Sequence, residues 1–300
     1  MKACYLPWAD LDREAAVGPV RFVPLASWLE QEVTDPIVRR FWERYQKCHI
    51  GQSGKPVTSL AMAVHTKAPF GQLTARQTLE IHRAAAALAF AYHTAGYESR
   101  TDPKHRRSGM TPIAKPERFA LYGKTYAPTD RSATLTSGNV SSHWSLAQLR
   151  WQHPPHVMGG SCVGPDREFL VALGKLVRAS PRNDLANRIW TALDWVRMAF
   201  TGGDGIDDRM RLGLMMTAYE CLFAHAKGSG TRGGEVKWAF ANFAKQHLQH
   251  DRIRHTTRDL GPSIGKQTLS LPADWFYDFF KCRSLILHGK PLLGGVPTFV

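Results

Sequence analysis

Apolar residues recur at two different periods along the chain. In PIVRRFWERYQK, Ile37, Phe41 and Tyr45 stand four apart, the spacing of one helix face. Asp35 is placed as an N-cap and Pro36 as the first helical residue. A second helix is predicted from Thr74 to Ala95, where Leu79, Leu88, Phe90 and Tyr92 sit among many alanines and Gly96 is the expected stop. Val20–Val23 and the SLAMAVH segment read as short strands. Pro7, Pro19, Pro24 and Pro36 break up any longer helix in the first fifty residues.

From 98 to 165 the composition shifts to Ser, Thr, Pro, Gly and Arg, with β-prone pieces such as Phe119–Tyr126. This region is expected to be irregular or β. His153-Pro154-Pro155-His156 and Gly159-Gly160 read as a linker. Beyond Asp166 the pattern is helical only, with helices expected near 166–179, 184–201, 206–227, 234–249 and 272–288. The fold expectation is therefore mainly α. An α+β N-terminal region of undefined fold (1–165) precedes a helical domain (166–291) and a short tail (292–300). No internal repeat is evident.

Composition narrows the classes. The chain has 300 residues, 39 Lys and Arg against 25 Asp and Glu, and a net charge of +14. Such a balance favours anionic partners, chiefly nucleic acid. Its longest strongly apolar run, Ala84–Ala91, falls far short of the ~20 residues that cross a bilayer. Asp10, Asp12 and Glu14 stand where a secretion signal keeps its apolar stretch. The five cysteines, Cys4, Cys48, Cys162, Cys221 and Cys282, are odd in number and contain no CxxC, so neither a disulfide framework nor a structural zinc site is implied. A cytoplasmic protein with reduced thiols, away from membranes, is the expectation.

The candidate chemistry lies near the end. The last predicted helix reads WFYDFFKCRSLILHGKP, with Arg283 and His288 separated by four residues. Gly289 suits a helix cap and Pro291 blocks continuation. His288 then falls in the last turn, where the helix dipole favours its protonated form. By themselves, Arg and His at a helix end most often just satisfy orphan carbonyls.

This aromatic terminal helix, with Arg, four residues, His and then Gly, resembles the RxxxxH signature of the HEPN superfamily, more narrowly its ApeA-like group. RMRLGLMMTAYECLFAH resembles the family's long helix, with Glu220 as its acidic residue. The likeness covers roughly 180–291. It implies a helical bundle that dimerises, an RNA cleft between two motif helices, and cleavage without metal or other cofactor. Arg283 would hold the scissile phosphate. His288 would act as general base on a 2′-hydroxyl or general acid on the leaving oxygen. Active members often carry Asn, Asp or His after the arginine; here it is Ser284, polar but uncharged. Glu220 would support the motif helix. Lys281, Lys290, Arg232, Arg252 and Arg254 are the candidate RNA contacts. Such proteins commonly act as toxins or in antiviral defence, so a phage or cellular trigger sensed by residues 1–165 is implied too. A non-catalytic module that binds RNA or a protein partner is the alternative.

Other signals carry less. Gly228-Ser229-Gly230-Thr231-Arg232-Gly233 matches GxGxxG, but a helix and not a strand precedes it. His247, His250 and His255 lack companion ligands. Gly202–Asp208 lacks calcium-loop spacing.

Overall fold

The computed structural model describes residues 2–9, 11–51, 53–68, 72–101, 119–128, 131–137, 140–152, 164–180, 182–201, 207–223, 255–259 and 265–287. The chain divides into two compact units, Met1–Ser180 and Pro181–Val300. In chain order the first holds β1 (Lys2–Leu6), β2 (Ala15–Val17), β3 (Val20–Pro24), α1 (Leu25–Glu32), α2 (Pro36–Gln46), β4 (His49–Ile50), β5 (Ala61–His65), α3 (Ala75–Thr101), β6 (Tyr122–Pro128), β7 (Ser132–Ser137), β8 (Val140–Ser145), β9 (Trp151–Gln152) and α4 (Arg167–Val177).

Seven of these strands form one sheet in the order β2-β3-β5-β1-β6-β7-β8, antiparallel throughout. This overturns the mainly α expectation: the protein is α+β, with the sheet as the frame of its first unit. Tyr5, paired with Met62, belongs to one core cluster with Val23 and with Trp28, Phe41, Trp42 and Tyr45 of α1 and α2. The alternate residues Cys4, Ala63 and Phe22 are in register with each other. These point to the opposite face, and α3 contacts β2, β3 and β5. With both faces covered, Ala3 to Leu6 are all buried, so β1 shows no alternation for the sequence reading to detect.

The cap of α2 forms as its residues dictate: Asp35 Oδ1 accepts from the amides of Ile37 at 2.7 Å and Val38 at 3.4 Å. Ile37 itself is exposed, while Phe41 and Tyr45 are fully buried. α3 does not stop at Gly96 but runs on to Thr101; a helical glycine costs only ~1 kcal/mol. α4, grouped by its periodicity with the C-terminal helices, packs on α3 and β2 of the first unit.

The second unit contains α5 (Asp184–Thr201), α6 (Asp208–Phe223), β10 (His255–Asp259), β11 (Lys266–Ser270) and α7 (Leu271–Leu287). α5 packs along α6, and α6 against α7. β10 and β11 pair antiparallel, His255 opposite Ser270, where only helix and loop were expected. These strands are five residues each, polar and Thr-bearing, and offer no apolar alternation. The expected linker at 153–160, helix at 234–249 and tail at 292–300 lie outside the described residues. No described helix is long and apolar enough to cross a membrane.

Candidate functional site

The motif helix α7 follows β11 directly, with Pro272 in its first turn, a position that needs no amide hydrogen bond. Among the described residues its buried apolar positions are Phe276, Phe279 and Phe280, which cluster with Leu212 and Met216 of α6. Tyr219 of α6 meets Phe276 edge-on at 4.9 Å and Phe279 at 6.1 Å. Burial raises the Tyr219 hydroxyl pKa above its ordinary value. Such aromatic pairs add ~0.5–1.5 kcal/mol beyond area burial, so α7 is fixed to α6 by its first three turns.

Arg283 and Ser284 lie farther along α7. At 100° per residue, position 283 comes back to within ~20° of position 276 around the axis. It thus continues the aromatic stripe by one turn. Lys281 is exposed and Cys282 half-buried. Burial, then Asp278, push the Cys282 thiol up, against the pull of Lys281; it is a protonated packing residue at neutral pH. On α6, Glu220 is half-buried. The carbonyls just beyond it are closed by Arg188 of α5, whose Nε donates to Cys221 O at 2.9 Å and whose Nη2 donates to Leu222 O. The structure therefore sets the helices bearing Glu220 and Arg283 against each other. His288, Lys290, Arg232, Arg252 and Arg254 lie outside the described residues, as do His247, His250 and the GxGxxG segment. His255 opens β10 and is not at a helix end.

No family model, curated protein or solved structure matches this chain.

Charge is unevenly shared. Residues 1–180 carry 23 Lys and Arg against 14 Asp and Glu, and residues 181–300 carry 16 against 11. Most of the surplus positive charge thus sits outside the unit that bears the motif.

Sequence reasoning missed two buried polar networks in the first unit. His49 is fully buried, and its Nδ1 donates to Tyr45 O at 3.2 Å. Its Nε2 must then accept from the Tyr5 hydroxyl at 3.2 Å, which in turn accepts from the Tyr45 hydroxyl at 3.0 Å. Burial lowers the His49 pKa to about 4, against the opposing backbone bonds of Tyr45 and Gln46. In the second network the Lys67 amide donates to His65 Nδ1 at 3.1 Å, so Nε2 donates to Glu80 Oε2 at 2.8 Å. Glu80 Oε1 also accepts from Arg76 Nε at 3.1 Å. Burial of Glu80 acts to raise its pKa, but hydrogen bonds from His65 and Arg76 outweigh it and hold the carboxyl below its ordinary value.

Both imidazoles have both ring nitrogens engaged, so neither has a lone pair to offer a substrate. The cavity beside His65, bordered by Cys4 and Met62, holds about 20 Å³, room for roughly one water. The Cys4 thiol is pushed up to about 11, by burial and against Lys2. These are framework groups. Their signal in sequence was faint: single histidines inside apolar segments, whose partners lie up to 44 positions away. Among the described residues no three His, Cys, Asp or Glu side chains gather as metal ligands would.

Proposed function

We propose that the second unit is a HEPN-type RNA-cleaving module, working as a homodimer. The observation that carries this reading is the seating of α7. Its aromatic stripe packs on the helix that bears Glu220, and Arg283 stands one turn farther along the same stripe. Arg283, a permanent planar cation, would offset charge on the scissile phosphate. His288 would take the proton of the 2′-hydroxyl as its oxygen attacks phosphorus, and the 5′-oxygen leaves with a proton from a second acid. The products are a 2′,3′-cyclic phosphate and a 5′-hydroxyl. Ser284 would hydrogen-bond the phosphate, and Glu220 would orient the motif helix. Within one ideal helix Arg283 and His288 point ~140° apart, which is the geometric reason for drawing the partner group from a second copy. Lys281, Lys290, Arg232, Arg252 and Arg254 are the proposed backbone contacts. No metal or other cofactor is called for in this scheme. A toxin or antiviral role in the cytoplasm, released by a phage or cellular trigger, fits it.

Ser284 favours a second reading: without a charged or imidazole group after the arginine, the module binds RNA and does not cut it. Incubation of wild type, Arg283→Ala and His288→Ala with total RNA and tRNA in EDTA separates the two. Cleavage by wild type that falls at least ~100-fold in both variants supports the nuclease. Cleavage that survives both removes this site. Binding without cleavage in all three supports the second reading.

A further inference from the structure

The outward side of α2 is cationic where its inward side is aromatic. Phe41, Trp42 and Tyr45 are fully buried, whereas Arg40, Glu43, Arg44 and Lys47 are exposed. At 100° and 1.5 Å per residue, Arg40, Arg44 and Lys47 fall within ~60° of one another, and ~10 Å of rise separates Arg40 from Lys47. Arg39 does not belong to this stripe. Its Nη2 donates to Leu29 O at 2.7 Å and Val33 O at 3.0 Å, closing the end of α1.

The C-terminal end of α2 gathers two more cations from distant segments. Gln46 Nε2 donates to Val57 O at 3.1 Å, which brings Val57, two residues after exposed Lys55, back to the helix end. The parallel register of His49 with Trp151 brings exposed Arg150 alongside Cys48. The Arg150 charge acts on the Cys48 thiol, as expected of near neighbours. Arg150 spends one nitrogen on Leu149 O at 2.7 Å. Among the described residues Arg40, Lys47 and Lys55 make no ion pair. Glu43 is the acidic residue on this side, one turn before Lys47, and it too forms no ion pair there.

A helix C-terminus accounts for a cation or two in its last turn. It does not account for Arg40 nearly two turns upstream, nor for the convergence of Lys55 and Arg150. Among the described residues, Lys55 and Arg150 thus add positive charge without an ion pair near the C-terminal end of the Arg40–Lys47 stripe. We propose that this face of the first unit binds the phosphodiester backbone of single-stranded RNA, with Arg40 and Lys47 on phosphates along the helix and Arg150 and Lys55 on those at its end. It gives that unit a substrate-holding role apart from the cleavage proposed for the second unit, and it rests on the RNA reading only for the choice of polymer.

The test is fluorescence anisotropy of the full chain with a labelled 2′-O-methyl RNA strand, across about 50–300 mM KCl. Such RNA keeps its phosphates and resists 2′-hydroxyl attack, so the result is independent of whether the chain cuts RNA. The variant R40Q/K47Q/R150Q is compared with R167Q/K175Q/R178Q, which removes equal charge from exposed positions of and beside α4. The patch variant is expected to bind ~10-fold or more weakly near 150 mM salt and to flatten the salt slope by ~2, since each phosphate contact contributes ~0.7. The α4 variant stays within about threefold of wild type. The charge-keeping R40K/K47R/R150K retains the slope and shows that the surface, not folding, is being read. Equal losses in the patch and α4 variants, or no loss in either, overturn the proposal.

Discussion

Two glycines let α4 meet the β2–β3 turn at backbone distance. A methyl group on Gly174 would lie 2.9 Å from the Gly18 nitrogen. One on Gly18, whose φ is +58°, would lie 2.6 Å from the Gly174 oxygen. In both cases the obstacle is backbone, which cannot swing aside. Gly174→Ala is therefore expected to cost ~2 kcal/mol, within the usual range of overpacking. Gly213 in α6 has open space where its methyl would go, and Gly213→Ala should be neutral or stabilise by up to ~1 kcal/mol. Urea unfolding of both variants decides it; equal effects would refute the close-approach argument. Neither glycine could be singled out from sequence, because the two that touch are more than 150 positions apart.

Local chemistry was legible wherever an element makes its own signal. Asp35 and Pro36 announce α2, and Asp35→Ala should destabilise the protein by ~1 kcal/mol while Asp35→Asn keeps most of that. A melting temperature that falls equally in both would show that the two amide bonds contribute nothing. The motif helix, expected from 272, begins at Leu271 and is helical through Leu287, the last described residue. Elements defined by their neighbours were not legible. β1 is buried on both sides and looks like any short apolar run; β10 and β11 are polar strands that have mainly each other. The candidate site shares this split. Arg283 and Glu220 are named through a resemblance to a family motif, while the opposition of their helices depends on Tyr219 meeting Phe276, which no local pattern states.

For the whole chain, charge and protonation set the conditions in which it is stable. His49 has a folded pKa of about 4 against 6.5 when free. Between those values the unfolded chain binds the extra proton, so stability is full above pH ~6.5 and falls toward pH 4. The total loss is of order 3 kcal/mol. Glu80, held low in the folded state, adds its own loss as pH falls through the carboxyl range. Tryptophan-monitored urea midpoints at pH 7.5, 5.5 and 4.5 should decline in that order, and His49→Gln should flatten the part between 6.5 and 4.5. A wild-type midpoint that does not move over that interval would sink the assignment of a neutral buried imidazole. At this scale the sequence misled most: helical periodicity beyond Asp166 and strands at 20–23, in SLAMAVH and near 119–126 were visible, but not the seven-stranded sheet that joins such strands with β1, β2, β7 and β8.

The position of β1 in that sheet has a kinetic consequence. It is hydrogen-bonded on both sides, to β5 and to β6, yet β5 begins at Ala61 and β6 only at Tyr122. At roughly 5–20 residues per second of synthesis, β1 waits ~3–12 seconds for its first neighbour and ~6–24 seconds for its second. Until β5 is made KACYL has two open edges, and until β6 is made it has one, the hazard that edge strands present to aggregation. Slower synthesis lengthens the exposure, and a chaperone that shields nascent apolar segments shortens it. Soluble yield should therefore depend more on how residues 1–128 are translated than on anything that follows them.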